Sequence, residues 1–245
     1  MIAAHNEAAN IEACIASLDW VSEILVVEND STDDTAAISR RSGAIVHQNP
    51  FTTIGGQRNF AIERASHDWI LVLDADERCT PELASSIEKI VSGGGHGTAY
   101  RIGRRNFFLG EEIRHGGWSA DRDKPVRLFT RMHRYDDSQV HEHVIVEGVV
   151  PTLKGRLEHW PYPSLDAYFE KFNRYSRSWA AQNYNRGRRA RIWDVVVRPP
   201  ARFLSTFILR GGWMDGSRGA LLACLSAASV MAKYARLWEM SLRRK

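Results

Sequence analysis

The chain alternates short apolar runs with stretches of helical periodicity. Ile2-Ala3-Ala4, Ile24-Leu25-Val26-Val27, Ala44-Ile45-Val46-His47 and Trp69-Ile70-Leu71-Val72-Leu73 read as buried strands. Asn10 to Leu18 places Ile11, Cys14, Ile15 and Leu18 on one helical face, with Asn10 as N-cap and Glu12 in the first turn. Ser31 or Thr32 caps a second helix that runs to about Arg41 and closes at Gly43. Gly55-Gly56 precede a third, opening at Gln57-Arg58-Asn59, and Thr80-Pro81 reads as the cap and first residue of a fourth. Strand and helix in alternation predict an α/β fold with a mainly parallel sheet flanked by helices.

After Gly97 the pattern changes. Thr98 to Ile102, Val126 to Phe129, Val140 to Val144 and Leu157 to His159 read as short extended pieces, and Arg104 to Gly117 as a basic, aromatic, glycine-containing loop. Ser164 to about Asn185 is a helix rich in aromatics. Phe203, Leu204, Phe207 and Ile208 then form an apolar face at helical spacing, flanked by Arg198, Arg202 and Arg210. Gly211 to Gly216 interrupts it, and Ala220 to Leu237 is a last helix. The expected organisation is one domain over 1–185, in halves 1–97 and 98–185, with a basic amphipathic helical extension over 186–245.

Composition changes the picture little. At 44% hydrophobic and 25% charged over 245 residues, the chain is globular and not disordered. The net charge of +4 is unevenly placed: Arg186 to Arg210 holds seven arginines against Asp194, which suits phosphates, an anionic membrane surface or nucleic acid. Cys14, Cys79 and Cys224 have neither zinc spacing nor a disulfide framework, which favours a reducing compartment. No secretory signal is visible, and the uncharged run Gly219 to Ala232 is too short to span a bilayer.

The chemistry concentrates at Asp74-Ala75-Asp76-Glu77. Carboxylates leaving the C-terminal end of a parallel strand face the crevice where α/β sheets bind ligands. In extended backbone Asp74 and Asp76 share a side. A divalent cation is the natural group to sit between them.

Glu7, the acidic turn from Glu28 to Thr35, Gln57-Arg58-Asn59 and Asp74-Ala75-Asp76 occur in the order that resembles family 2 glycosyltransferases of the GT-A fold. His115-Gly116-Gly117-Trp118, Arg127-Leu128-Phe129, Val140-His141-Glu142, His159 and Lys171 to Ser176 resemble the bacterial branch that glucosylates the inner core of lipopolysaccharide. Two departures stand out. Only Met1 to Ala4 precede the Asn-Glu motif, so the first strand is truncated or short, and the acidic turn opens on Glu28 where the family has Asp.

The resemblance implies a UDP-sugar donor and Mg2+ or Mn2+. It implies Glu28 and Glu7 at the uracil, Arg58 at the uracil or pyrophosphate, and Asp74 at the ribose or metal. Asp76 is the main metal ligand and His159 a candidate third. For the general base that deprotonates the acceptor hydroxyl, Glu142 comes first and Asp121 second. Gly117 allows close approach of the donor sugar, while His115 and Trp118 meet the acceptor. Residues 1–97 would then be the nucleotide-binding half and 98–185 the acceptor half. The expected acceptor is a lipid-linked saccharide such as heptose; a peptide side chain or a capsular sugar are alternatives. The expected location is cytoplasmic, peripheral on the inner face of an anionic cytoplasmic membrane. A nucleic-acid-binding module built on the arginines is disfavoured because it leaves the carboxylates without a role.

Overall fold

The computed structural model describes residues 1–50, 53–94, 97–119, 123–136, 142–162 and 164–242. They form two compact units: Met1–Arg105 with Ala120–His159, and Asn106–Ser119 with Trp160–Lys245. The boundary expected near residue 185 falls inside the second unit.

In chain order the first unit contains β1 (Ile2–Ala4), α1 (Ile11–Ala16), β2 (Leu25–Glu28), α2 (Thr35–Arg41), β3 (Ile45–Gln48), α3 (Ile54–Arg64), β4 (Trp69–Leu71), β5 (Leu73–Asp74), β6 (Glu77–Cys79) and α4 (Pro81–Lys89). β7 (Ala99–Phe108) leads out of it into the second unit, where β8 (Glu111–Ile113) lies. β9 (Val126–Thr130) and β10 (Thr152–His159) complete the first unit.

One sheet is parallel, in the order β3-β2-β1-β5. The other follows β4-β9-β7-β10-β6, with antiparallel pairing of β4 to β9, β7 to β9 and β6 to β10. The run Trp69 to Leu73, expected as one strand, is divided between the two sheets. Ile70 pairs with Phe129 and Leu73 with Ile2, and the Val72 N–H donates to the Arg127 carbonyl at 2.8 Å between them. An apolar run carries no mark of the sheet it joins, so this switch was not visible in the sequence. It delivers Asp74 to the seam of the two sheets.

Arg104 to Gly117, expected as a loop, is mostly hairpin. β7 continues to Phe108 and turns through Leu109 and Gly110, at φ of 48° and 82°, into β8. Its arginines concealed the strand because Arg104 is paired inward rather than solvated.

The main core packs Ile2, Ile11, Val26, Leu73, Leu83, Ile102, Leu128 and Leu157. Thr53 accepts the Gly56 N–H at 2.9 Å, and Thr80 accepts the Leu83 N–H ahead of Pro81, as side-chain caps should. Two expected caps do not form. Asn10 donates to Glu7 Oε2 at 2.8 Å instead of capping α1. Ser31 and Thr32 bond Asn6, so α2 starts only at Thr35, where Asp33 accepts the backbone N–H at 3.0 Å.

The second unit packs α5 (Leu165–Asn185), α6 (Ile192–Leu204) and α7 (Gly216–Leu242), with Ser164 capping α5. Tyr168, Leu222 and Leu225 cluster with Phe108 and Ile113, and Ala180, Tyr234 and Leu237 with Ala190. α7 corrects one expectation. It runs on as helix through Lys233 and Arg236, and the stretch Gly212–Leu242 is long and apolar enough to cross a bilayer by length and composition. Within this unit, however, Leu222, Ala223, Leu225, Tyr234 and Leu237 are buried.

Candidate active site

β1, β2 and β5 end side by side, with Ala4 opposite Glu28 and Ala3 opposite Asp74. The loops leaving β1 and β2 are laced together. The Asn6 N–H donates to Ser31 Oγ at 3.0 Å, Thr32 N–H to Asn6 Oδ1 at 2.8 Å, Glu7 N–H to Thr35 Oγ1 at 2.8 Å and Ala8 N–H to Asp33 Oδ2 at 3.1 Å. Asn6 and Asp30 sit at φ of 55° and 51°, the left-handed region that these residue types tolerate. Glu28 is 2% exposed, and its Oε1 accepts the N–H of Ser31. Its extra methylene relative to Asp folds the carboxylate back over its own turn.

Asp74 is the centre of a charge network. Arg58 Nη2 reaches its Oδ1 at 2.5 Å, and Arg127 Nη2 its Oδ2 at 2.5 Å. Arg58 also bonds Glu142 Oε1 through Nη1 at 2.5 Å and lies 5.0 Å from the centre of the Tyr135 ring. Burial alone would raise the Asp74 pKa, but the Arg127 and Arg58 guanidiniums outweigh it and hold the carboxyl well below the usual range. Behind it Glu77, fully buried, accepts the Asp74 N–H at 2.9 Å through Oε2. Glu77 Oε1 meets Arg127 at 3.0 Å and Arg104 at 3.1 Å. Arg104 in turn grips Asp123 with two bonds, at 2.7 and 2.8 Å. Glu77 thus ties the Asp74–Asp76 turn to two strands of the second sheet.

Gly55 sits where α3 meets this network: a Cβ there would lie 2.5 Å from the Asp136 carbonyl and 3.6 Å from Glu142 Cβ. Only glycine lets the first turn of α3 press against the residues that hold Arg58 and Glu142.

Asp76 and His159 come together, with Nε2 at 3.6 Å from Oδ1, because His159 pairs with Glu77 across β10 and β6. The expected set of three metal ligands is not assembled. Both Asp74 oxygens are engaged by arginine, and among the described residues no group of three or more His, Cys, Asp and Glu is placed to hold a metal. Asp76 and His159 remain as a carboxylate and imidazole pair that could share one cation.

Residues 1–145 match the family model described as Glycosyl transferase family 2. The chain is also 31% identical, over 94% of its own length and 90% of the relative's, to the lipopolysaccharide core biosynthesis glycosyltransferase LpsC of Rhizobium meliloti. The chain belongs to glycosyl transferase family 2.

This family 2 glycosyltransferase is likewise 28% identical to an uncharacterized glycosyltransferase of Rickettsia typhi, over 97% of this chain and 85% of that one. Among solved structures, mannosyl-3-phosphoglycerate synthase from Rubrobacter xylanophilus overlaps with a TM-score of 0.38 at 23% identity, covering 43% of this chain and 39% of the other.

The first unit of the glycosyltransferase therefore gathers Arg58, Asp74 and Glu142 directly, with Asp76 beside His159. Glu7 lies on the loop after β1, bonded to Asn10, and Glu28 is the last residue of β2. The second unit holds the other expected residues. His115 Nδ1 lies 2.9 Å from Asp215 Oδ1, and the His115 N–H donates to Oδ2 of the same carboxylate at 2.9 Å. Trp118 is half-buried against Phe108 and Tyr162, and Gly117 adjoins Arg210. Asp121, His141 and Val140 lie outside the described residues.

Arg127, Arg104, Glu77 and Tyr135 have no role in the sequence reading. Arg127 had a signal, an arginine inside an apolar strand, which needs a buried anion. Glu77 gave no local sign of its charge pairing, since its arginine partners lie 27 and 50 residues away.

Proposed function

We propose that this enzyme transfers a hexose, glucose foremost, with inversion from a UDP-sugar to an inner-core saccharide such as heptose on a lipid-linked acceptor. The observation that carries the reading is Arg58 bridging Asp74 to Glu142 at the C-terminal edge of the parallel sheet.

Glu28 and Glu7 receive the uracil. Asp74, kept ionised by its arginines, still has lone pairs to accept a ribose hydroxyl. Arg58 is assigned to the uracil or pyrophosphate, its planar guanidinium suiting a phosphate. Asp76 and His159 would hold a divalent cation, a mixed oxygen and nitrogen donor pair that favours Mn2+ over Mg2+. When bound, such an ion neutralises charge developing on the diphosphate. Glu142 uses one oxygen on Arg58 and with the other takes the proton of the acceptor hydroxyl as the hydroxyl oxygen attacks C1. The bond from C1 to the phosphate oxygen breaks, UDP leaves with the electron pair, and a single in-line displacement inverts the anomeric carbon. Asp121 is the second candidate for the base. His115, Gly117 and Trp118 are assigned to the sugars. The enzyme works as a peripheral protein on the cytoplasmic face of the inner membrane, where a lipid-linked acceptor is presented.

A screen of UDP- and GDP-sugars with Mn2+, scored by nucleotide release, tests this. UDP-glucose should lead. Absence of both UDP binding and release from every UDP-sugar would sink it, and turnover with a peptide in place of a saccharide acceptor would correct the acceptor alone.

A further inference from the structure

Helix α6 is apolar on two sides. Val195 packs inward against the cluster of Tyr234 and Leu237, and Pro199 is buried. On the other side Trp193, Val197 and Leu204 are exposed, as are Ile208 and Leu209 in the π-helical turn Ser205–Leu209 that follows α6 and Trp213 in the 3-10 turn after it. Trp193 is 70% exposed and Leu209 81%. Single exposed apolar residues are ordinary, but a stripe of them along α6 and the turns after it marks a surface that something covers.

The charge around the stripe says what. Arg188, Arg189, Arg191, Arg198, Arg202 and Arg210 flank and interleave with it along the chain, with Asp194 as the one acid in the stretch. Asp194 is already used: it accepts the Arg191 N–H at 2.9 Å and Arg198 Nε at 2.7 Å. Arg188, Arg189 and Arg202 bond neutral groups, the Asn183 amide, the Tyr234 hydroxyl, the Tyr184 carbonyl and the Ser226 hydroxyl, which leave their charge for an external anion. A second copy of the same surface would set arginines against arginines. Nucleic acid would leave the aliphatic stripe in water. An anionic bilayer satisfies both features, because the apolar residues enter the acyl boundary while the arginines stay at the phosphates.

We infer that the segment from Trp193 to Trp213 is an interfacial anchor that lies flat in an anionic lipid surface. In this arrangement α7 packs within the second unit, with Leu222, Leu225, Tyr234 and Leu237 buried against residues of α5 and α6, rather than spanning. The inference deepens the proposed function, resting on its lipid-linked acceptor, and gives the membrane contact a specific surface.

The test uses the full chain with vesicles of phosphatidylglycerol in phosphatidylcholine, against pure phosphatidylcholine. Co-sedimentation should require the anionic lipid, weaken with salt and be released by alkaline carbonate. Brominated acyl chains should quench tryptophan fluorescence, and Trp193→Phe with Trp213→Phe should remove most of that quenching. Trp193→Ser with Leu209→Ser should lower the vesicle partition coefficient by about tenfold or more, with unchanged circular dichroism and unchanged UDP release from donor alone. Arg189→Ala with Arg191→Ala should erase the preference for anionic lipid. Resistance to carbonate would overturn the inference in favour of a spanning α7. Self-association that the serine variant abolishes would overturn it in favour of a second copy. Vesicle binding that neither double variant alters, or no vesicle binding at all, would also overturn it. Donor turnover without vesicle binding sinks the anchor alone; vesicle binding without donor turnover sinks the reaction alone.

Discussion

Glu77 offers a sharp test of how the site is held. Its carboxylate is fully buried, receives the Asp74 N–H and meets both Arg127 and Arg104. Glu77→Gln keeps the size and one acceptor oxygen but removes the charge. Removing one partner of a buried ion pair costs about 3–5 kcal/mol, because the other charge stays buried without compensation. Arg127 keeps Asp74 and Arg104 keeps Asp123, so the lower end, about 3 kcal/mol, applies. At about 2–4 °C per kcal/mol for a chain of this size, Tm should fall by roughly 6–12 °C. The control is Glu111→Gln, which removes an exposed partner lying 3.8 Å from Arg218. Exposed pairs contribute about 0–1 kcal/mol, so that variant should melt within roughly 4 °C of the wild type. Differential scanning calorimetry reads both. Equal, small shifts for the two variants would refute the view that Glu77 anchors the turn.

Three further outcomes are expected. Asp76→Asn should slow Mn2+-dependent nucleotide release by about 10²–10⁴, the equivalent of several kcal/mol of lost Lewis-acid assistance, and an unchanged rate would remove Asp76 from the metal site. Gly155, at φ 81° in β10, has the Leu83 backbone where a Cβ would be, whereas Gly43, at φ 87°, has open space. Gly155→Ala should therefore lower the urea-unfolding free energy by about 1–3 kcal/mol more than Gly43→Ala, and equal losses would mean that backbone strain alone decides. The third concerns acid. The depressed pKa of Asp74 contributes stability that is present above its unfolded value of about 3.9 and lost as pH falls through the folded value. The gap in urea midpoint between wild type and Asp74→Asn should stay constant from about pH 7 to 5 and close below about pH 4; a gap that widens in acid contradicts the assignment.

The parallel strands and the carboxylates at their ends were legible because both are local patterns: an apolar run, then Asp74-Ala75-Asp76. The Thr80 cap ahead of Pro81 was legible for the same reason, whereas the Thr53 cap, which starts α3 at Ile54 rather than at Gln57, was not read. What sequence reasoning missed depends on partners distant in the chain. Asn10, Ser31 and Thr32 have capping chemistry, yet cross-loop hydrogen bonds claim them first. Arg104 looked like a loop charge until Glu77 and Asp123 were seen to neutralise it inside a strand. Asp74, expected at the ribose or metal, carries Arg58 and Arg127 on its two oxygens, partners 16 and 53 residues away. The exposed stripe on α6 was half legible: its periodicity shows in the sequence, but which side faces outward depends on how α7 packs.

The central claim is that the first unit turns over a UDP-sugar with Asp76 and Glu142 in its machinery. Acceptor-dependent UDP release from UDP-glucose with Mn2+, measured for wild type, Asp76→Asn and Glu142→Gln side by side, tests it most directly. The account predicts release by the wild type, loss of both donor-only and acceptor-dependent release in Asp76→Asn, and selective loss of the acceptor-dependent part in Glu142→Gln. Wild-type rates in both variants would contradict it.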